Sequence, residues 1–130
     1  MWEMLLIVQS LASVAMLLIV AGLIQRKRAR DHIRFMMAAF VFDIVGLLIV
    51  ELVPLFDSER IDPVQSLASG GLLKYFHALM AVVSLVVYVL QIRSGRKILN
   101  GDRSLLPKHR TMAGVFLISR ALAYITMWMV

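Results

Sequence analysis

Three histidines of this chain are each followed, three or four residues later, by a methionine. That spacing places an imidazole and a thioether on one face of a helix. Imidazole and thioether together suit copper(I), and two histidines, or a histidine and a methionine, also hold haem iron axially. The sequence therefore predicts haem or copper ligands at these positions. The three candidate pairs are His32 with Met36, His77 with Met80, and His109 with Met112.

Two charged residues lie deeper in the apolar stretches that carry these histidines. Asp43 follows His32 by eleven residues, and Arg120 follows His109 by the same interval. Eleven steps of about 100° leave both side chains on one face of a helix, about three turns apart. We expect His32 and His109 to lie at one membrane depth, and Asp43 and Arg120 at another. An ion pair between the two charges would lower the cost of burying each of them.

The third histidine lies at the opposite end of its stretch. His77 is at the depth predicted for Glu51, near the end of the preceding apolar stretch. A hydrogen bond or ion pair between Glu51 and His77 would form a separate, outer site. Polar residues that share one helical face with His77 are expected to point into the interior of the protein. They are Lys74, Ser84, Tyr88 and Gln91.

The elements that must position these side chains are four apolar stretches in a chain of 130 residues that is 61% hydrophobic. Each approaches or exceeds the roughly 20 residues that cross a bilayer, and isolated strands cannot satisfy their backbone in lipid. The predicted fold is therefore all-α, a single-domain integral membrane four-helix bundle over residues 1–130. The predicted spans are 4–24, 33–56, 72–92 and 112–130.

The distribution of charge predicts the orientation of these spans. Eleven of the fourteen lysines and arginines lie in or directly beside the connections after the first and third spans. The positive-inside rule then places both connections in the cytoplasm and both termini outside. Topology also accounts for the net charge of +6 without a nucleic-acid partner. Because the chain has no cysteine, disulfides and thiolate metal sites are excluded.

The histidine-bearing runs Arg30–Met37, Tyr75–Ala81 and Lys108–Gly114 resemble the corresponding segments of the YozB/CtaM-like family of small four-helix bacterial membrane proteins. The resemblance covers the last three spans, about three quarters of the chain. Some members of that family are implicated in the maturation of haem–copper terminal oxidases. The resemblance implies a role near haem or copper delivery for His32, His77 and His109, with an oxidase subunit or assembly factor as partner.

Three functions follow from these patterns. In the first, a non-enzymatic bundle binds haem or copper, with His32 and His109 as an inner pair, and assists oxidase maturation. In the second, the same two histidines ligate a b-type haem that exchanges electrons with quinone. In the third, the protein is a cofactor-free accessory subunit, alone or as a homo-oligomer, whose polar residues set the helix register. No catalytic residue is assigned, because no hydrolase or nucleotide-binding signature occurs.

Overall fold

The computed structural model describes residues 2–52 and 71–129, with side chains from Glu3 to Val50 and from Gly71 to Met129. Within these ranges the chain is helical apart from short turns, and no strand occurs. The all-α prediction is therefore confirmed. The helices are α1 (Trp2–Ile24), α2 (Ala29–Leu52), α3 (Gly71–Leu99) and α4 (Leu106–Met127), with a 3-10 turn at Arg103–Leu105.

Three of the helices are long and apolar enough to cross a membrane. The segments are Glu3–Ile24, Ala29–Val50 and Gly71–Leu99. This finding supports a membrane protein. The described part of α4 is 22 residues long but does not reach the same apolarity, because it carries basic residues at its start and Arg120 within it. A fourth span and the outside location of both termini stay predictions.

Two helix boundaries differ from the predicted spans by six residues or more. Helix α3 continues seven residues past the predicted end at 92, because Arg96 and Lys97 are good helix formers and favour a helix C-terminus. Helix α4 starts at Leu106, six residues before the predicted start, with Pro107 in its first turn, where a missing N–H costs little. The predicted segment 53–56 and Val130 lie outside the described residues.

The chain forms two compact units, Met1–Ile61 and Asp62–Val130, and the prediction of a single domain stays a prediction. In the first unit, α1 packs against α2 in a hairpin. Small residues dominate the buried positions, as membrane helices require for close approach. These positions are Ala12, Ala15, Ile19 and Gly22 in α1, and Ala39 and Gly46 in α2.

Helices α1 and α2 approach each other closely at Gly22. A methyl group added there would lie 2.9 Å from the sulfur of Met36 and 3.2 Å from Cβ of Phe35. We expect Gly22→Ala to lower the free energy of unfolding by about 1 kcal/mol, because either α2 or Met36 must move. The matched variant Gly46→Ala places its methyl group 4.0 Å from Leu11 and should not destabilise the hairpin. Unfolding by denaturant in detergent measures both; equal effects of the two variants would contradict the close approach.

The second unit is a hairpin of α3 and α4, and its buried centre is aromatic. The ring centroids of Tyr88 and Phe116 lie 4.3 Å apart, with the planes tilted by 59°. Phe116 is 2% exposed. The polar stripe predicted on α3 does turn inward, since Ser84 and Tyr88 are buried. Other buried residues of this hairpin are Val87, Ser119, Arg120, Ala123 and Thr126.

Candidate ligand histidines

His32 lies in the first turn of α2 and reaches back to the end of α1. Its Nδ1 is 2.8 Å from the backbone oxygen of Gly22, which accepts the hydrogen bond. Gly22 belongs to the last turn of α1, where carbonyl groups lose their donors within the helix. The imidazole therefore caps a carbonyl at the C-terminus of α1, and its Nδ1 carries the proton.

Met36 packs on the same glycine. Its sulfur lies close above Gly22, as the short distance to an added methyl group shows. His32 and Met36 are both half-buried, so one residue of α1 is in contact with the candidate imidazole and the candidate thioether. The offset of four residues, which the sequence offered only as a pattern, thus corresponds to two side chains packed at one place in the first hairpin.

His77 lies in the second turn of α3 and joins it to the end of α4. Its Nδ1 is 2.7 Å from the hydroxyl oxygen of Thr126. The Thr126 hydroxyl in turn lies 2.7 Å from the carbonyl oxygen of Leu122 and 3.1 Å from that of Ala123, to which it donates. Since the hydroxyl has a single proton, it accepts from His77, and Nδ1 of His77 is again the protonated nitrogen.

His109 lies in the first turn of α4 and contacts the far end of α3. Its Nδ1 is 2.7 Å from the hydroxyl oxygen of Ser94, which also lies 3.2 Å from the carbonyl oxygen of Gln91. When Ser94 donates to Gln91, it accepts from Nδ1 of His109. The side-chain amide of Gln91 donates to the backbone oxygen of His109 at 3.1 Å. The ring carbon Cε1 would lie 3.5 Å from a methyl group at Gly95, so the imidazole packs against α3 there.

The side-chain oxygen of Gln91 is a further polar group beside His109. Its Oε1 is buried and receives no hydrogen bond from the described part of the chain. A buried acceptor without a donor costs about 1–3 kcal/mol. A bound water, or a hydroxyl group of a ligand, would remove that cost beside His109.

The three histidines therefore share one arrangement: each is half-buried, and each turns Nδ1 toward an oxygen of the neighbouring helix. Such a hydrogen bond sets the tautomer and the orientation of the ring, and leaves Nε2 as the unprotonated nitrogen. Metal-bound histidines are commonly held in this way. The arrangement can present a ligand nitrogen, and it can equally join two helices.

Within the second unit, His77 and His109 are too far apart to share a metal ion. His77 and Ser94, the partner of His109, are separated by 17 residues of one helix, which corresponds to about 25 Å at 1.5 Å per residue. The prediction of a separate site at His77 is consistent with this distance. The shared site of His32 and His109 stays a prediction, since the two residues belong to different units.

The other predicted site residues are placed as follows. Asp43 is half-buried in α2 and Arg120 is 6% exposed in α4, and their ion pair stays a prediction. Met80 and Met112 are both half-buried in the second hairpin. The side chain of Glu51 lies outside the described residues, so its contact with His77 is untested. Among the described histidines and carboxylates, no three gather into a metal-binding group.

The hydrogen-bonding partners of the histidines, Gly22, Ser94 and Thr126, were missed by sequence reasoning. A signal for two of them exists in the sequence. Helices α3 and α4 turn near Gly101, and residues equally distant from that turn face one another in an antiparallel hairpin. His77 and Thr126 lie 24 and 25 residues from Gly101, and Ser94 and His109 lie seven and eight residues from it.

The Thr126 hydroxyl gives a direct test of how His77 is held. We expect Thr126→Val to release the ring, so that the tautomer becomes mixed and the free energy of unfolding falls by about 0.6–1.7 kcal/mol. Nitrogen chemical shifts of labelled histidine measure the tautomer. The control is Thr111→Val, which removes an exposed hydroxyl that bonds only to its own helix at Pro107. A His77 spectrum that is unchanged in Thr126→Val would contradict this anchoring role.

Comparisons of the chain with family models, with curated proteins and with solved structures give no match.

Proposed function

We propose that this protein is a non-enzymatic membrane protein that binds haem or copper through His32, His77 and His109. The observation that carries the proposal is the shared arrangement of the three imidazoles. Each holds Nδ1 against an oxygen of a neighbouring helix, which prepares Nε2 as a ligand nitrogen. Three histidines anchored through Nδ1, in a chain of mostly apolar helices, are a suitable set of metal ligands.

The donor set fits these groups chemically. Neutral imidazole binds copper and haem iron, and a thioether favours copper(I) or the sixth position of haem iron. The packing of His32 and Met36 on Gly22 supports such a mixed pair in the first hairpin. The unpartnered Oε1 of Gln91 supports a bound group with a hydroxyl or water beside His109. When bound, haem or copper would supply redox chemistry; the chain itself supplies ligands, orientation and an apolar surround.

The proposed role is assistance in the maturation of haem–copper oxidases in a bacterial inner membrane. It rests on the resemblance of the three histidine-bearing runs, and its partners would be the lipid bilayer and an oxidase subunit or assembly factor. In this proposal all four helices span the membrane, both termini lie outside, and His32 and His109 form the inner pair. His77 would form the outer site, close to Glu51.

One specific observation favours a second function, that of a cofactor-free accessory subunit. Every histidine joins the two helices of its own hairpin, and interhelical hydrogen bonds of this kind stabilise membrane proteins by about 0.6 kcal/mol each. Such bonds would set the helix register without any metal. The two functions differ in whether Nε2 of each ring binds a metal.

The experiment that tests the proposal is metal and haem analysis of the full chain purified from membranes in a mild detergent. Iron and copper are counted per chain, and a haem spectrum is recorded in the oxidised and reduced states. Near-stoichiometric haem iron or copper supports the proposal, and reversible haem reduction favours the electron-transfer branch. A chain without iron or copper, which also takes up neither haem nor copper(I) when they are added, would leave the accessory function.

A further inference from the structure

An open groove lies beside the end of α1 in the first unit. It is an open depression of the surface with a volume of about 490 Å³. One wall is apolar and consists of the last turns of α1; the other is basic and follows directly after that helix. The lining residues are Val20, Leu23, Ile24, Arg26 and Lys27.

The side chains of the apolar wall are exposed on the surface of the protein. Val20 is 49% and Ile24 is 74% exposed. In a helix that crosses a membrane, such side chains contact acyl chains. The groove therefore begins at the depth of the hydrocarbon region and ends at the depth of the headgroups.

The basic wall has the opposite charge to a phosphodiester. Arg26 and Lys27 are exposed, and they continue into a cluster of basic side chains at the turn and at the start of α2. The other exposed members of the cluster are Arg28, Arg30 and Arg34. A single acidic side chain, the half-buried Asp31, lies in this part of the sequence. Basic residues next to a membrane helix attract anionic lipids.

We propose that this groove binds one anionic phospholipid, with the phosphodiester against Arg26 and Lys27 and an acyl chain along Val20, Leu23 and Ile24. The order of the two walls along the chain matches the order of the two parts of a lipid. A free phosphate ion would use only the basic wall, and a zwitterionic lipid would add an ammonium group that the cluster repels. None of the lining residues is a histidine or a methionine, so the lipid can be tested without a bound metal.

Native mass spectrometry of the full chain tests the proposal. The protein is released from detergent with phosphatidylglycerol or phosphatidylcholine of the same acyl chains, and retained lipid is counted. We expect several-fold more retained phosphatidylglycerol, and a loss of about tenfold in the double variant R26Q/K27Q. The matched control is R96Q/K97Q, which removes two exposed charges from the last turn of α3 and should retain the lipid.

Other arms separate the sources of the phosphate. Glycerol 1-phosphate, which has no acyl chains, should not bind, and the variant V20S/I24S should lose phosphatidylglycerol while its charge is unchanged. Equal losses in R26Q/K27Q and R96Q/K97Q would show a general effect of net charge and overturn the proposal. Binding of glycerol phosphate that V20S/I24S leaves intact would likewise overturn it, in favour of a phosphate site. Circular dichroism confirms that each variant keeps its helices.

Discussion

Replacement of both His32 and His109 by alanine is expected to lower the bound iron or copper of the purified protein at least tenfold. In the proposed site each substitution removes one Nε2 ligand, and even the loss of a hydrogen-bonding partner behind a metal ligand typically costs 10–100-fold in affinity. The helices should persist, because the backbone hydrogen bonds that form them do not involve the imidazoles. The measurement is iron, copper and haem per chain in the same detergent.

A matched control replaces neighbouring residues that are not proposed as metal ligands. Arg30 and Arg110 are exposed, and each lies within two residues of one of the histidines. Their double alanine variant changes the same two regions but should retain the metal. Addition of free imidazole to the histidine double variant should restore part of the haem spectrum, because the variant is still folded and the added imidazole can take the place of the missing side chain. Full retention of metal in the double histidine variant would refute the assignment of these two residues.

The second large effect is expected at Phe116. Its ring is 2% exposed and contacts Tyr88 in the middle of the second hairpin. In lipid the transfer of apolar surface contributes little, but the cavity left by Phe116→Ala still removes packing contacts. We expect a loss of about 2 kcal/mol in the free energy of unfolding, from a cavity term of roughly 24 cal/mol per Å³.

Phe76→Ala is the control for this substitution. Phe76 lies in the same hairpin, and its side chain is 38% exposed, so its removal leaves no enclosed cavity. The free energies of unfolding of both variants are measured by denaturant titration in detergent micelles. A loss at Phe76 equal to that at Phe116 would contradict a packed centre between α3 and α4.

The helices of this protein are predictable from its sequence for a local reason. A run of about 20 apolar residues either forms hydrogen bonds within itself or leaves its backbone unsatisfied in lipid. The predicted spans accordingly coincide with α1 and with most of α2 and α3. The helix ends were less predictable, since α3 and α4 continue into polar sequence on both sides of Gly101. There apolarity carries no information, and helix propensity and the position of Pro107 decide.

The sequence by itself determined which residues have ligand chemistry and which helical face they occupy, because residue type and the period of 3.6 are local properties. It identified His32, His77 and His109, and the face of α3 that carries Ser84 and Tyr88. Only the tertiary structure decided what these residues contact. The partners Gly22, Thr126 and Ser94 come from other helices, and their distances depend on the register and close approach of two helices in a hairpin. The face that a residue occupies depends on its own helix alone, whereas its contacts depend on how two helices are aligned.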